Sequence, residues 1–340
     1  MLTKNLLPFH WPRTLTFSLS ILVCLSWLTG CASSWPHFSL QDEHYQPIVE
    51  RQKVGIVPQA SEVSHPLPEM TQKEYERLGD AQVRQGHMVQ AAVHYENALK
   101  LDASRVSTRY KVAQIYLNYG KAKRAYDRFH EILDYDFNYV PAYVGMGRAL
   151  LKMGKDAEAE LELRQALAFD PQQWEAHNYL GIMMDRRKLH SAAMTQYTAA
   201  LAQHPNDPVL LNNLGMAYFL SGRYEDAAIT FQQAIHMGGD HQKIWDNLGL
   251  AFAKLDRYGE AYDAFQKGLG PAKAYNNVGL IFLEKKKPVR ATSCFQKAIE
   301  SQPTYYDKAE ANLRLAKRFM SRLPLLERRA IRQRDEACLE

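Results

Sequence analysis

Few side chains in this chain have the types and spacing that catalysis or metal binding requires. His236 and His241, which flank a Gly-Gly-Asp turn, are the nearest approach to a metal-ligand pair, yet the twelve histidines share no ligand spacing. No Cys-x-x-Cys pair, Gly-rich phosphate loop, nucleophile elbow or paired-carboxylate arrangement occurs in the sequence. We therefore expect a protein that is not an enzyme and that holds no cofactor and no metal.

Cys31 is the residue whose surroundings favour a covalent modification. It follows a segment that contains Lys4 and Arg13 and an apolar run over residues 14–28, which is too short to cross a bilayer comfortably. With the preceding Leu-Thr-Gly it forms a tetrapeptide that resembles the lipobox of bacterial lipoproteins. The resemblance implies that residues 1–30 are a signal peptide and that Cys31 carries lipid, palmitate among the acyl chains. The alternative is an ordinary signal peptide or a short anchor with an incidental cysteine.

The residues that follow Cys31 bear on where such a lipoprotein would reside. Ala32 stands where an Asp is associated with retention in the inner membrane, so the resemblance implies an outer-membrane anchor that faces the periplasm of the cell envelope. Five prolines interrupt the polar stretch 31–70, which has neither helical nor strand periodicity. This stretch is predicted to be a flexible tether between the lipid and the rest of the chain.

From residue 72 onward, one pattern of small and aromatic residues recurs at intervals of 34 residues. One unit shows the pattern, with Gly181 at its eighth position, Ala193 at its twentieth and Tyr197 at its twenty-fourth. The small residues let two helices approach closely, and the ring is expected to fill the gap to the next unit. The period and residue types resemble the tetratricopeptide repeat, a helix-turn-helix array. This resemblance predicts an all-α, right-handed superhelical solenoid of about seven repeats with a C-terminal capping helix.

The repeats are predicted to occupy residues 71–305, followed by a capping helix at 306–320 and a basic tail at 321–340. The sixth unit is four residues short, and the seven units are 72–105, 106–139, 140–173, 174–207, 208–241, 242–271 and 272–305. The basic tail is either a solvated helix end or a contact for anionic lipid or an acidic partner.

Local signals predict where helices begin and turn. Thr71 and Glu74 form a capping box. Three later helices are expected to begin where a cap residue precedes a proline, at Asp170, Asp207 and Gly270. The turn within a repeat favours glycine because it requires positive φ, and four units have glycine there: Gly86, Gly120, Gly154 and Gly222.

Two cysteines, Cys294 and Cys338, lie outside the signal segment and the lipidation site. Cys294 precedes an aromatic residue of the last repeat, where a small apolar core residue is expected. The two thiols can pair only if the tail folds back onto that repeat. The sequence leaves both states open.

A tetratricopeptide array offers a concave surface, formed by the first (A) helix of each repeat, that suits an extended peptide or a helix of a partner. The resemblance places positions 2, 5, 9, 12 and 13 of each repeat on this surface. The residues predicted to bind a partner are Asn178, Ile182, Asp185, Arg186, Asn212, Met216, Phe219, Asp246, Leu250 and Asn276. The asparagine amides are expected to bond a partner's backbone.

Two groups on or near this surface have a second interpretation. Met216, Phe219 and Leu220 form either an apolar patch for a partner or a contact with the neighbouring repeat. The asparagines at the sixth position are expected to join adjacent repeats, and they are Asn213, Asn247 and Asn277.

Anchor, tether and repeats together resemble bacterial tetratricopeptide lipoproteins, above all the TadD-type proteins of Flp/Tad pilus systems and the pilotins of type IV pili. The resemblance implies a non-catalytic adaptor that binds a secretin or pilus component and assists assembly of that complex. A scaffold for peptidoglycan enzymes and a subunit of a polysaccharide export machine are the alternatives. The net charge is +5 with both signs interspersed, so no nucleic-acid partner is expected.

Overall fold

The computed structural model describes residues 70–302, 306–322 and 338–339. Within these residues the chain forms fifteen α-helices and no strand. They are α1 Gln72–Arg84, α2 Met88–Leu101, α3 Val106–Asn118, α4 Ala122–Leu133, α5 Val140–Lys152, α6 Asp156–Phe169, α7 Trp174–Arg186, α8 His190–Gln203, α9 Pro208–Leu220, α10 Tyr224–His236, α11 Gln242–Lys254, α12 Tyr258–Leu269, α13 Pro271–Glu284, α14 Pro288–Glu300 and α15 Asp307–Ser321. Each odd-numbered helix from α1 to α13 packs on the even-numbered helix that follows it. The predicted all-α repeat solenoid is confirmed.

In six of the seven repeats, a large side chain of the second (B) helix lies against a glycine of the A helix in the same repeat. In the fifth repeat, a Cβ added to Gly215 would lie 2.7 Å from the ring of the fully buried Phe231. Such a distance is shorter than two carbon atoms tolerate, so only glycine allows this approach. The ring therefore packs on the glycine of its own repeat, as it also does in the first, fourth, sixth and seventh repeats.

The second and third repeats vary this contact. Ala113 occupies the glycine position of the second repeat, and the ring of Phe129 lies instead against Gly145 of the third repeat. In the third repeat Leu163 replaces the aromatic residue and packs on Gly147. Small and large residues thus remain matched where the pattern changes.

The turn between the two helices of a repeat has a left-handed backbone in all seven repeats. The four predicted glycines have φ between 71° and 83°, so that prediction is confirmed. The other three repeats place non-glycine residues there: Lys188, Asp256 and Lys286, with φ of 57–62°. This conformation is costly for a side chain, so the packing of the two helices imposes it.

The helix starts agree with the predictions at three of four positions. Thr71 and Glu74 form the capping box, Asp207 accepts hydrogen bonds from two backbone amides of α9, and Gly270 precedes Pro271 at the first turn of α13. The prediction at Asp170 is wrong, because α7 begins only at Trp174. The Asp170 carboxylate accepts a hydrogen bond from the Gln172 amide at 3.0 Å, and this local turn competes with a helix start.

The four residues missing from the sixth repeat are absent from its connecting loop. Gly270 alone joins α12 to α13, with φ of 82°, and it ends one helix and begins the next. The largest buried core in the described residues runs through this junction, from Leu211 to Cys338, while four smaller cores serve the earlier repeats.

The final helix, α15, packs on α14 and behaves as the A helix of an eighth unit. Its own residues Ala309 and Ala316 are fully buried. A disulfide joins Cys294 in α14 to Cys338, and both cysteines are buried. Of the two states that the sequence leaves open, the structure therefore contains the bridged one, with Cys338 against the last repeat.

Candidate partner-binding surface

Three of the predicted surface asparagines are buried between neighbouring A helices, at 6–9% exposure. In each case Oδ1 accepts a hydrogen bond of 2.8–2.9 Å from Nδ2 of an asparagine on the next A helix: Asn213 to Asn178, Asn247 to Asn212 and Asn312 to Asn276. The expectation that sixth-position asparagines join adjacent repeats is therefore confirmed for Asn213 and Asn247. The expectation that the fifth-position amides are open to a partner's backbone is corrected, since their oxygens already hold the array together.

Asp246 interrupts this row of asparagine pairs in the sixth repeat. Its Oδ1 atom is buried and has no hydrogen-bond partner among the described residues, while Oδ2 accepts a long hydrogen bond of 3.4 Å from Gln242. Gly268 of α12 lies over the buried oxygen. Burial raises the pKa of the Asp246 carboxyl above its ordinary value of 3.8, because the charged form loses solvation.

We expect Asp246→Asn to stabilise the protein, because a neutral amide costs less to bury than a carboxylate. Because the folded-state pKa of Asp246 lies above its unfolded value, the free energy of unfolding of the wild type falls as pH rises through the folded-state pKa. The gain from the variant should therefore vanish below about pH 3.8 and reach about 0.5–1 kcal/mol at neutral pH, since the carboxyl is only partly buried. Urea unfolding at a series of pH values measures it. Asp263→Asn, at an exposed position, is the matched control, and an equal gain from both variants would contradict the explanation.

Asp185 is committed to contacts within the fourth repeat. Its carboxylate lies 2.8 Å from Nδ1 of His190 and accepts a hydrogen bond of 3.1 Å from the Tyr197 hydroxyl. These contacts fasten α7 to α8. Arg186 follows it and is exposed, with its guanidinium 4.0 Å from the Asp156 carboxylate, so Arg186 remains accessible to a partner.

The apolar group in the fifth repeat divides between packing and exposure. Met216 and Phe219 are partly buried against the large core, and the Phe219 ring meets the Tyr224 ring edge-on at 5.3 Å. Leu220, by contrast, is 49% exposed. Packing thus accounts for two of the three residues, while Leu220 belongs to the open surface.

The ninth position of the repeat carries an apolar row that becomes open toward the C-terminal repeats. Beginning in the fourth repeat it carries Ile182, Met216, Leu250 and Leu280, and Leu315 takes the equivalent place three residues after Asn312 in α15. Leu250, Leu280 and Leu315 are 39%, 41% and 45% exposed. We call these three residues the leucine row. Assigning α15 the register of an A helix from its sequence would have revealed Leu315.

The same position is polar in the first three repeats, where it carries Asp80, Gln114 and Arg148. Asp80 pairs with Lys111 at 2.6 Å, and Arg148 donates to Gln114 at 3.2 Å. These groups bond one another across adjacent A helices. At the ninth position, the N-terminal part of the surface is therefore polar and internally paired, and the C-terminal part is apolar.

A lysine lies two helical turns before each residue of the leucine row, toward the start of the same helix. Lys243, Lys273 and Lys308 are exposed, and within the described residues none of them forms an ion pair. We call them the lysine row. The residues predicted from the sequence to bind a partner include none of these three lysines, although all three follow from the repeat register.

Other kinds of site find little support in the described part of the chain. No group of three or more His, Cys, Asp or Glu residues is placed to hold a metal ion there. No helix in the same residues is long and apolar enough to cross a membrane. Cys31, the predicted signal peptide and the tether lie outside the described residues.

Comparison with known proteins agrees with the repeat geometry. Residues 144–208, 190–241 and 212–277 match one tetratricopeptide-repeat model, and residues 272–305 match another. The type IV pilus assembly protein PilF of Pseudomonas aeruginosa is 27% identical over 160 residues, which are 46% of this chain and 52% of PilF. Human DnaJ homolog subfamily C member 3 is 27% identical over 133 residues, 37% of this chain and 26% of that protein. The chain thus spans about half of the first relative and about a quarter of the second.

Two solved structures show the same fold. The type IV pilus biogenesis factor PilW superposes with a TM-score of 0.52 at 21% identity, over 57% of this chain and 90% of PilW. The Cut9–Hcn1 complex gives a TM-score of 0.53 at 21% identity, over 75% of this chain and 50% of its matched chain. Proteins of this fold are typically non-catalytic adaptors. The chain is therefore a tetratricopeptide-repeat protein, an all-α solenoid that resembles bacterial pilus assembly factors.

Proposed function

We propose that this protein is a non-catalytic adaptor that is anchored by lipid at Cys31 in the outer membrane, faces the periplasm and assists assembly of a secretin or pilus complex. The observation that carries the proposal is the similarity of its repeats to PilF, whose name describes type IV pilus assembly. The open apolar surface of the C-terminal A helices supplies a place for a protein partner.

The disulfide between Cys294 and Cys338 supports the proposed compartment. Structural disulfides persist in oxidising environments such as the periplasm and are rare in the cytosol. The lipobox-like tetrapeptide that ends at Cys31 indicates export on separate grounds.

A strain that lacks the gene is the test of this function. We expect loss of heat-resistant secretin multimers and of surface pili, with recovery when the wild-type gene is returned. A Cys31→Ala variant should leave the repeats folded but fail to restore assembly, because location is then lost. Normal multimers and normal pili in the deletion strain would overturn the proposal.

The two alternatives are a scaffold for peptidoglycan enzymes and a subunit of a polysaccharide export machine. Both rest on the shared repeat architecture. Proteins cross-linked to the full chain in native envelope extract distinguish them, because cell-wall enzymes or export components would replace secretin and pilus components among the captured partners.

A further inference from the structure

We propose that the leucine row and the lysine row together bind an acidic amphipathic helix of the partner protein. The inference rests on the proposed adaptor function and names the chemistry of the segment that the adaptor recognises. It concerns only the last two repeats and α15, and not the polar N-terminal surface.

The exposure of the leucine row is the first step. Leu250, Leu280 and Leu315 occupy the same register on three successive A helices and leave 39–45% of their surface open. Side chains of neighbouring A helices meet along this row, since Lys254 pairs with Glu284 at 3.7 Å and Asn312 donates to Asn276 at 2.9 Å. A row of exposed apolar side chains across neighbouring helices offers a surface on which the apolar stripe of a partner helix can pack.

The spacing of the row selects a helix as the occupant. Packed helices lie roughly 8–10 Å apart, and we expect a similar spacing between successive leucines of the row. Residues seven apart on an α-helix are about 10.5 Å apart and lie on nearly the same face. A helix that crosses the A helices and carries an apolar residue at every seventh position therefore meets each leucine once.

The lysine row favours a partner helix that carries acidic residues along one side. Lys243, Lys273 and Lys308 lie seven residues before the respective leucines, on the same face of each helix and without an ion pair in the described structure. Glu284 and Glu310, two acids of these helices, pair instead with Lys254 and Arg314. Glutamates or aspartates along one side of the docked helix would pair with all three lysines.

The test measures binding of a fluorescent peptide to the full chain in zwitterionic lipid nanodiscs. The probe has on the order of 20 residues, with leucine at every seventh position and glutamate on one flank. A second peptide has lysine in place of each glutamate. We expect the acidic peptide to bind, with an affinity that falls as salt rises, and the basic peptide to bind at least tenfold more weakly.

Variants of the protein locate the site. Leu250→Gln and Leu280→Gln should each weaken binding of the acidic peptide about fivefold to tenfold, because part of a leucine surface is no longer buried. Lys273→Glu with Lys308→Glu should weaken it about tenfold and let the basic peptide bind. Leu161→Gln and Lys267→Glu are the matched controls, since both residues are exposed on B helices, and they should bind as the wild type does.

Equal binding of the two peptides, or unchanged binding by the leucine variants, would overturn the inference. Self-association of the chain that the leucine variants abolish would also overturn it, since the occupant would be a second copy. If the acidic peptide binds as expected while the deletion strain assembles normal pili, the proposed function fails and the docking chemistry stands. If assembly fails in that strain and neither peptide binds, the inference alone fails.

Discussion

Replacing Phe231 with alanine is expected to lower the free energy of unfolding by about 3–5 kcal/mol, the largest single effect that this fold predicts. The ring is fully buried and fills the space over Gly215, so its removal leaves a cavity between α9 and α10. The repeat lies in the interior of the array, where neighbours on both sides prevent the cavity from collapsing. Urea unfolding followed by far-ultraviolet circular dichroism measures the loss.

The glycine opposite this ring provides the control. Gly215→Ala places a Cβ 2.7 Å from the ring and should cost about 1–3 kcal/mol. Combining Gly215→Ala with Phe231→Leu should cost less than the sum of the two single changes, because a smaller side chain relieves the clash. Additive losses would show that the ring and the glycine do not form a matched pair. Gly259→Ala, where an added Cβ meets nothing within 4 Å, should change stability little.

Removal of the disulfide should have the second largest effect. The double variant Cys294→Ala, Cys338→Ala is expected to have a free energy of unfolding about 2–4 kcal/mol below that of the wild type. The cross-link spans a sequence separation of 44 residues and so restricts the unfolded chain. The loss should appear as a lower midpoint of urea unfolding.

Reducing agent provides an independent check on this result. It should lower the midpoint of the wild type to that of the double variant and leave the variant itself unchanged. A wild type whose unfolding is insensitive to reductant under denaturing conditions would show that the bridge does not stabilise the fold. The single variant Cys338→Ala should match the double variant, because each cysteine has only the other as its partner.

The sequence predicted the helical hairpins because the repeat copies both the small residues and the side chain that faces them. Gly215 and Phe231 recur as a pair, so a wrong register would have broken several contacts at once. The register also placed Leu250 on the open face. Such periodic features are visible without coordinates since each repeat has nearly the same environment.

Features that depend on a particular neighbour were beyond this reasoning. Asn178 looked like a surface amide because its bond to Asn213 joins residues of different repeats. Asp170 looked like a helix cap because its side chain satisfies the same kind of backbone amide in a turn. The pairing of Cys294 depended on the path of the tail, which has no repeat pattern.

The distribution of buried cores has a consequence for the order in which the protein folds. The core that runs from Leu211 to Cys338 is continuous across three repeats and α15, whereas the earlier repeats have separate small cores. In a linear array, cooperativity follows the strength of coupling between neighbours. The C-terminal block should therefore nucleate folding and exchange its amide hydrogens together and most slowly, while the N-terminal repeats open one after another, beginning with the first repeat.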